Sequence, residues 1–144
     1  MGADSIQLPV ARANVPAVLE AFGILATAQR VEIAAIMLSA KQHMSADQVL
    51  LRLHDVDTAV SKATVYNTLG LFAEKGLLRQ VIVDPTRVFY DSNTLNHHHF
   101  YNVDDGTLTD IEALEIAIED LPKVPSGTVP DGVDVILRVR NKSA

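Results

Sequence analysis

The stretch from Ser61 to Asp91, SKATVYNTLGLFAEKGLLRQVIVDPTRVFYD, carries the strongest fold signals of the chain. Ser61 suits a helix N-cap, apolar residues then recur at helical spacing, and Gly76 suits the position just after a helix end. The runs LLRQVIVD and RVFYDS are rich in β-formers and are separated by Asp84-Pro85-Thr86, a turn signal. The stretch therefore predicts a helix followed by a β-hairpin.

Upstream residues predict further helices over 15–23, 28–39 and 46–54, the last of which begins at a capping-box pattern formed by Ser45 and Gln48. Several short helices followed by a hairpin is the order of a winged-helix domain, whose helix before the hairpin enters the DNA major groove. The order alone also fits any small α+β domain.

Downstream, NHHHFYNVDDGTLTDI predicts strand with a turn at Asp105-Gly106, EALEIAIEDLP an amphipathic helix, and VDVILRVRNK a final strand. We predict an α+β fold with a winged-helix DNA-binding domain over 1–90 and a small α/β domain over 91–144. A unit of about 55 residues is marginal by itself, so we expect it to dimerise.

Composition excludes several classes of protein. The 144 residues are 48% hydrophobic, which is enough for a core, and no apolar run is long enough for a membrane span. Cysteine is absent, which rules out disulfides, thiolate zinc sites, iron–sulfur clusters and cysteine nucleophiles and is compatible with the cytoplasm. The net charge of −6 comes entirely from residues 91–144, so the first part is neutral rather than acidic.

The run His97-His98-His99 is the sharpest chemical feature. On a strand, His97 and His99 share one side, where two imidazoles can chelate Zn²⁺, Mn²⁺ or Fe²⁺. His43 is a candidate remote ligand, and the alternative is a solvated histidine run at a loop edge. Carboxylates that are near in sequence are Asp91, Asp104, Asp105 and Asp110.

Other chemistry has weaker signals. Tyr66 and Lys62 are candidate DNA contacts if their helix enters a DNA groove. Otherwise Tyr66 is a partly buried aromatic residue and Lys62 an ordinary surface charge. The sequence has no Gly-x-Ser-x-Gly motif and no phosphate-cradling glycine loop, so we expect no enzyme of those classes.

Taken in order, SADQVLLRL, KATVYNTLGLFAEKGLL, RVFYD and the histidine run resemble the ferric uptake regulator (Fur) family over about residues 20–112. HHHF without cysteines is most similar to the iron response regulator (Irr) branch. The resemblance implies a homodimeric, metal- or haem-responsive transcriptional regulator, a repressor or an activator, that controls iron-homeostasis genes in the cytoplasm. It also implies that the partner is double-stranded DNA carrying an AT-rich inverted repeat.

The resemblance further implies a regulatory metal site on His43, Asp91, His98 and Asp110 and a second metal or haem site on His97 and His99. Three departures stand out: Phe100 replaces a further histidine ligand, the C-terminal histidine has no counterpart, and the structural zinc cysteines are missing. We therefore expect Mn²⁺, Fe²⁺ or Zn²⁺, haem, or both, and no structural zinc.

The DNA contacts implied by the resemblance are Tyr66, Lys62, Thr64, Asn67 and Arg30, with Asn67 standing where the family often has arginine. Two alternatives from other classes remain. One is a His/Asp metalloenzyme, which needs an open metal position and a general base. The other is a winged-helix module whose histidines do not control DNA binding through a metal.

Overall fold

The computed structural model describes residues 6–95, 97–112 and 116–143. The chain divides into two compact units, Met1–Leu95 and Asn96–Ala144. The sequence places a boundary between residues 90 and 91, whereas Asp91 lies in the first unit because it is the last residue of a strand paired within that unit.

The described part of the first unit contains four α-helices. They are α1 (Val15–Ala21), α2 (Ala28–Met37), α3 (Ala46–Asp55) and α4 (Lys62–Glu74). The side chains of Thr27, Ser45 and Ser61 accept backbone N–H bonds at the starts of α2, α3 and α4, which satisfies donors that have no partner inside the helix. Helix α1 ends before Gly23, whose positive φ of 73° suits glycine.

The wing of the first unit is an antiparallel sheet in the order β1-β3-β2. Its strands are β1 (His43–Ser45), β2 (Arg79–Asp84) and β3 (Arg87–Asp91). The predicted hairpin β2–β3 is confirmed. Strand β1 was not predicted because three residues are too few for a readable alternation.

The core of this unit is apolar and lies between the helices. Leu19, Ile33, Met37, Leu53 and Phe72 are fully buried, one or two from each helix. A truncation such as Phe72→Ala in a core of this kind costs about 3–5 kcal/mol. The core therefore fixes the position of α4, the helix predicted to face DNA.

The second unit contains β4 (His98–Asn102), β5 (Leu108–Ile111) and β6 (Ile136–Val139), in the order β5-β4-β6. Strand β5 pairs antiparallel with β4, and β6 pairs parallel with it. The final strand is shorter than predicted. The predicted helix EALEIAIEDLP lies partly outside the described residues, and its described portion forms only a short 3-10 helix, Ile118–Asp120.

The two units together confirm the predicted α+β fold. Over residues 6–95, 97–112 and 116–143, the helices are all too short or too polar to cross a membrane.

Candidate metal centre and nucleic-acid interface

The side chains of His97, His99 and Asp110 lie together in the second unit. The β4–β5 pairing sets His99 directly opposite Asp110, and paired residues on neighbouring strands share a face. The Oδ1 atom of Asp110 is 3.3 Å from Nε2 of His99 and 3.5 Å from Nε2 of His97. The two imidazole rings are 4.5 Å apart between centroids.

This group has the chemistry and the spacing of a metal site. Each residue offers one ligand atom, and these atoms lie within 4.8 Å of one another. Ligands about 2.1 Å from a tetrahedral ion are about 3.4 Å from each other, which is close to both measured separations. Two imidazole nitrogens and a carboxylate oxygen suit Zn²⁺, Mn²⁺ or Fe²⁺, so the three residues fit a divalent cation.

Burial strengthens the interaction of these groups with a cation. The His99 side chain is only 2% exposed, that of His97 12% and that of Asp110 32%. Water screens charge poorly at such a position, and a carboxylate beside two imidazoles favours a bound positive charge. The Asp110 side chain therefore lies in a partly buried environment.

His98 lies on the opposite face of β4. Its Nδ1 accepts a hydrogen bond of 3.0 Å from the backbone N–H of Val135, the residue before β6. A neutral imidazole that accepts at Nδ1 carries its proton on Nε2, so this arrangement leaves neither nitrogen ready to ligate an ion. The structure thus groups Asp110 with His97 and His99, whereas the resemblance grouped it with His98.

His43 and Asp91, the other two residues of the implied regulatory site, are neighbours within the first unit. The pairing of β1 with β3 sets His43 opposite Asp91. The Asp91 carboxylate is buried and accepts a 2.8 Å bond from the backbone N–H of Asn93, and the His43 ring contacts Phe89 edge to face. Phe100, which replaces a family ligand, is half-buried on the His98 face of β4.

The predicted DNA contacts lie mainly at the start of α4. Lys62, Tyr66 and Asn67 are exposed, and Tyr66 keeps 44% of its surface accessible. Thr64 is half-buried, and its hydroxyl is 2.8 Å from the Ser61 hydroxyl at the N-cap. The structure therefore presents polar side chains and one aromatic ring on the first turns of α4.

Arg30, the predicted contact outside α4, lies in the first turn of α2. Its guanidinium donates a 3.0 Å bond to the backbone carbonyl of Leu25. This bond holds the side chain against the turn before α2 and leaves further N–H donors for another acceptor.

Sequence reasoning missed Asp47, which belongs to this surface. Its Oδ1 lies 3.4 Å from the Tyr66 hydroxyl and 3.5 Å from Nζ of Lys62. An acidic residue in the first turn of α3 is an ordinary companion of the helix N-terminus, so the sequence alone gave it no other role. Only the packing of α3 against α4 places it beside the predicted DNA contacts.

Comparison with known proteins shows what this arrangement resembles. The model of the ferric uptake regulator family matches residues 21–124. The peroxide-responsive repressor PerR of Staphylococcus aureus strain Mu50 is 30% identical over 90 residues, which is 62% of this chain. The match spans 61% of that relative, less than two thirds of its length.

Two solved structures are similar over nearly the whole chain. The ferric uptake regulator from Pseudomonas aeruginosa with manganese superposes with a TM-score of 0.68 and 28% identity, covering 90% of this chain and 98% of that one. The ferric uptake regulator from Francisella tularensis with iron gives a TM-score of 0.70 at 28% identity and covers 84% and 94%. Because the family model covers well over half of the sequence, this chain belongs to the ferric uptake regulator family.

Proposed function

We propose that this chain is a homodimeric, metal-responsive transcriptional regulator that binds double-stranded DNA and represses iron-homeostasis genes. The observation that carries the proposal is the grouping of His97, His99 and Asp110 at metal-ligand spacing in a member of this family. A regulator bound to DNA acts where the DNA is, so the proposal places the protein in the cytoplasm.

The second unit supplies the core of the proposed metal site. A bound Mn²⁺, Fe²⁺ or Zn²⁺ would supply a fixed positive charge and would hold its ligands in one geometry. His97 and His99 would each give an imidazole nitrogen, and Asp110 a carboxylate oxygen. The set that adds His43 and Asp91 from the first unit stays a prediction from the family resemblance. The resemblance also predicts His98 as a ligand, which the bond from the Val135 N–H to its Nδ1 disfavours.

A metal changes DNA affinity only if it binds two conformations of the protein unequally. In a dimer, the spacing of two α4 helices must match two half-sites on DNA, which suits an inverted repeat. We propose an AT-rich inverted repeat as the operator. The neutral charge balance of residues 1–90 supports this dependence on geometry, because phosphate attraction contributes less than in strongly basic binders.

The proposed dimer rests on an apolar face of the second sheet. The β4–β6 pairing sets Phe100 beside Leu137, and Leu137 is 51% exposed. Val139, two residues further along β6, is 37% exposed on the same face. A unit of about 50 residues buries little apolar surface by itself, so a second copy that covers this face adds the missing core.

The narrower assignment to the Irr branch, with haem as a ligand, rests on the HHHF run and on the absence of cysteine. Histidine would then have to ligate the haem iron. The alternative of a His/Asp metalloenzyme is disfavoured because members of this family are transcription regulators.

The test is fluorescence anisotropy of a labelled AT-rich palindromic duplex titrated with the full-length protein. Titrations with chelator, with Mn²⁺ and with haem are run at one fixed salt concentration. We expect the affinity to differ about tenfold or more between conditions, which corresponds to about 1.4 kcal/mol of coupling. The condition with the tighter binding identifies the active state.

Asp110→Asn keeps the shape of the side chain and removes its charge, so it should abolish the Mn²⁺ effect. Asp131→Asn is the matched control, because Asp131 is an exposed carboxylate of the same unit. Equal binding of the wild type in all three conditions would favour a winged-helix module without a metal switch. If Asp110→Asn responds to Mn²⁺ like the wild type, the proposed ligand set is wrong.

A further inference from the structure

One carboxylate, Asp47, lies among the side chains that the proposed function assigns to DNA. It belongs to the first turn of α3, whereas Lys62 and Tyr66 belong to α4 and are four residues apart on one face. The Nζ atom of Lys62 also lies 5.7 Å from the centre of the Tyr66 ring. These three side chains form a compact cluster, which we call the Asp47 cluster.

The Asp47 cluster is open to solvent. The side chains of Asp47 and Lys62 are each 64% exposed, and Tyr66 is 44% exposed. Exposed ion pairs of this kind are weak, so a DNA phosphate can draw Lys62 away from Asp47 at a small cost. The Asp47 carboxylate therefore holds the Lys62 side chain only weakly, and a DNA phosphate can displace it.

The same carboxylate opposes DNA in two ways. It neutralises the lysine that would otherwise release a counterion on binding a phosphate, and its own negative charge repels the DNA backbone. Both effects act at every DNA sequence, so they lower non-specific binding. A cost that is equal at every sequence cancels in the ratio of specific to non-specific affinity, so discrimination requires that base-edge contacts at a cognate site draw Tyr66 and Lys62 away from Asp47.

Asp47 also orients Tyr66. The Tyr66 hydroxyl donates a hydrogen bond to the Asp47 carboxylate. The lone pairs of the hydroxyl oxygen therefore remain able to accept a hydrogen bond from DNA. In the major groove, the donors are the amino groups of adenine and cytosine. The Asp47 cluster therefore favours Tyr66 as an acceptor of hydrogen bonds from the bases.

We propose that Asp47 is a specificity-determining residue, which restrains Lys62 and Tyr66 and so suppresses binding to non-cognate DNA. This inference rests on the proposed function as a DNA-binding regulator. It assigns to α3 a role in DNA discrimination beyond its contribution to the core.

The test compares Asp47→Asn with the wild type on the AT-rich palindrome and on a scrambled duplex of the same composition, both with Mn²⁺. Binding is measured by anisotropy over a series of salt concentrations. We expect Asp47→Asn to bind the scrambled duplex about two- to fivefold more tightly, because one exposed ion pair is released, and to gain less affinity for the palindrome. An equal gain on both duplexes would overturn the proposal. The slope of log affinity against log salt should steepen by about 0.9 for each released lysine.

Asp55→Asn is the matched control. Asp55 is exposed at the other end of α3, about 12 Å along the helix from Asp47, and its replacement changes the net charge equally. We expect Asp55→Asn to change affinity for the two duplexes less than Asp47→Asn does, and without steepening the salt dependence.

A second variant separates restraint of Lys62 from simple repulsion. In the Lys62→Met background, adding Asp47→Asn should give little further gain on the scrambled duplex, because no lysine is left to release. An undiminished gain would overturn the proposal, and so would equal behaviour of Asp47→Asn and Asp55→Asn. If the wild type binds neither duplex at any salt concentration while circular dichroism shows it folded, the proposed function fails together with this inference.

Discussion

At the scale of the residue, neighbouring histidines have different environments. His99 on β4 lies opposite Asp110 on the neighbouring strand β5. Nδ1 of His98, on the opposite face of β4, accepts a hydrogen bond from the Val135 backbone N–H. Strand alternation explains the difference, because successive side chains point to opposite faces of a sheet. Replacing each histidine separately therefore tests which face holds a metal.

We expect His99→Leu to lower the affinity for Mn²⁺ by at least about tenfold. Replacing a residue that only hydrogen-bonds a metal ligand already lowers metal affinity by about tenfold or more, and losing a ligand should cost no less. His98→Leu should leave the affinity nearly unchanged. It should reduce the free energy of unfolding by about 1 kcal/mol, because the Val135 N–H loses its acceptor. Calorimetric titration and urea denaturation measure the two effects. Loss of Mn²⁺ binding in His98→Leu alone would assign the metal to the other face.

The separation of His97 and His99 from His98 could be predicted from the sequence, because it needs only the strand period. The partnership with Asp110 could not, because it depends on the register of β4 and β5 across the turn at Asp105-Gly106. Nor could Asp47 be linked to Tyr66, since 19 residues and a change of helix separate them. Contacts within an element follow from its period, but contacts between elements require the packing.

At the scale of the element, the tip of the wing has an electrostatic signature. The Asp84 carboxylate accepts bonds of 2.8 Å from both the hydroxyl and the backbone N–H of Thr86. These bonds stabilise the ionised form and lower the pKa of Asp84 below its ordinary value of 3.8. A lowered pKa contributes stability above the unfolded-state value, and this contribution is lost as the pH falls through the folded-state pKa.

Thr86→Val should therefore raise the pKa of Asp84 toward its ordinary value, because the hydroxyl donor is the largest cause of the shift. The turn in the second unit offers a control, since Thr107 bonds Asp105 in the same way and lowers its pKa. Thr107→Val should move the pKa of Asp105 and leave that of Asp84 in place. Carboxyl-selective nuclear magnetic resonance titration measures both groups, and an unmoved Asp84 in Thr86→Val would show that the hydroxyl is not the cause.

The start of α3 is fixed by a complete capping box. The Ser45 hydroxyl accepts a 3.2 Å bond from the backbone N–H of Gln48, and the Gln48 side chain accepts a 2.8 Å bond from the backbone N–H of Ser45. Ser45→Ala should reduce the free energy of unfolding by about 1 kcal/mol, measured by urea denaturation. Ser126→Ala, at an exposed loop position, should have no such effect. Equal stability of the two variants would mean that the box does not stabilise the helix.

Elements with strong end signals were predictable. Helices α2, α3 and α4 begin where Thr27, Ser45 and Ser61 cap them, because a cap is a local interaction. Strand β1 was missed because it exists only through its pairing with β3. The final strand was predicted too long, since alternation continues beyond the residues for which β4 offers a partner.

At the scale of the whole molecule, the second sheet has an apolar face that stays partly exposed among the described residues of its unit. Leu137 is 51% exposed beside the half-buried Phe100, and the unit that holds them is small. Exposed apolar surface lowers solubility and stability unless another surface covers it. A two-fold symmetric pair would bring the same patch of each copy together and would also present two α4 helices to an inverted repeat.

If the proposed dimer forms, Leu137→Glu should convert it to a monomer, because pairing would bury two carboxylates against an apolar face. Sedimentation equilibrium measures the change in mass, and anisotropy should show a parallel loss of affinity for the palindromic duplex, since a monomer contacts one half-site. Leu51→Glu is the matched control, because Leu51 is 66% exposed on α3 in the first unit, so the same charge is added outside the proposed interface. A wild type that sediments as a monomer at micromolar concentration, or equal dissociation by both variants, would show that the Leu137 face is not the dimer interface.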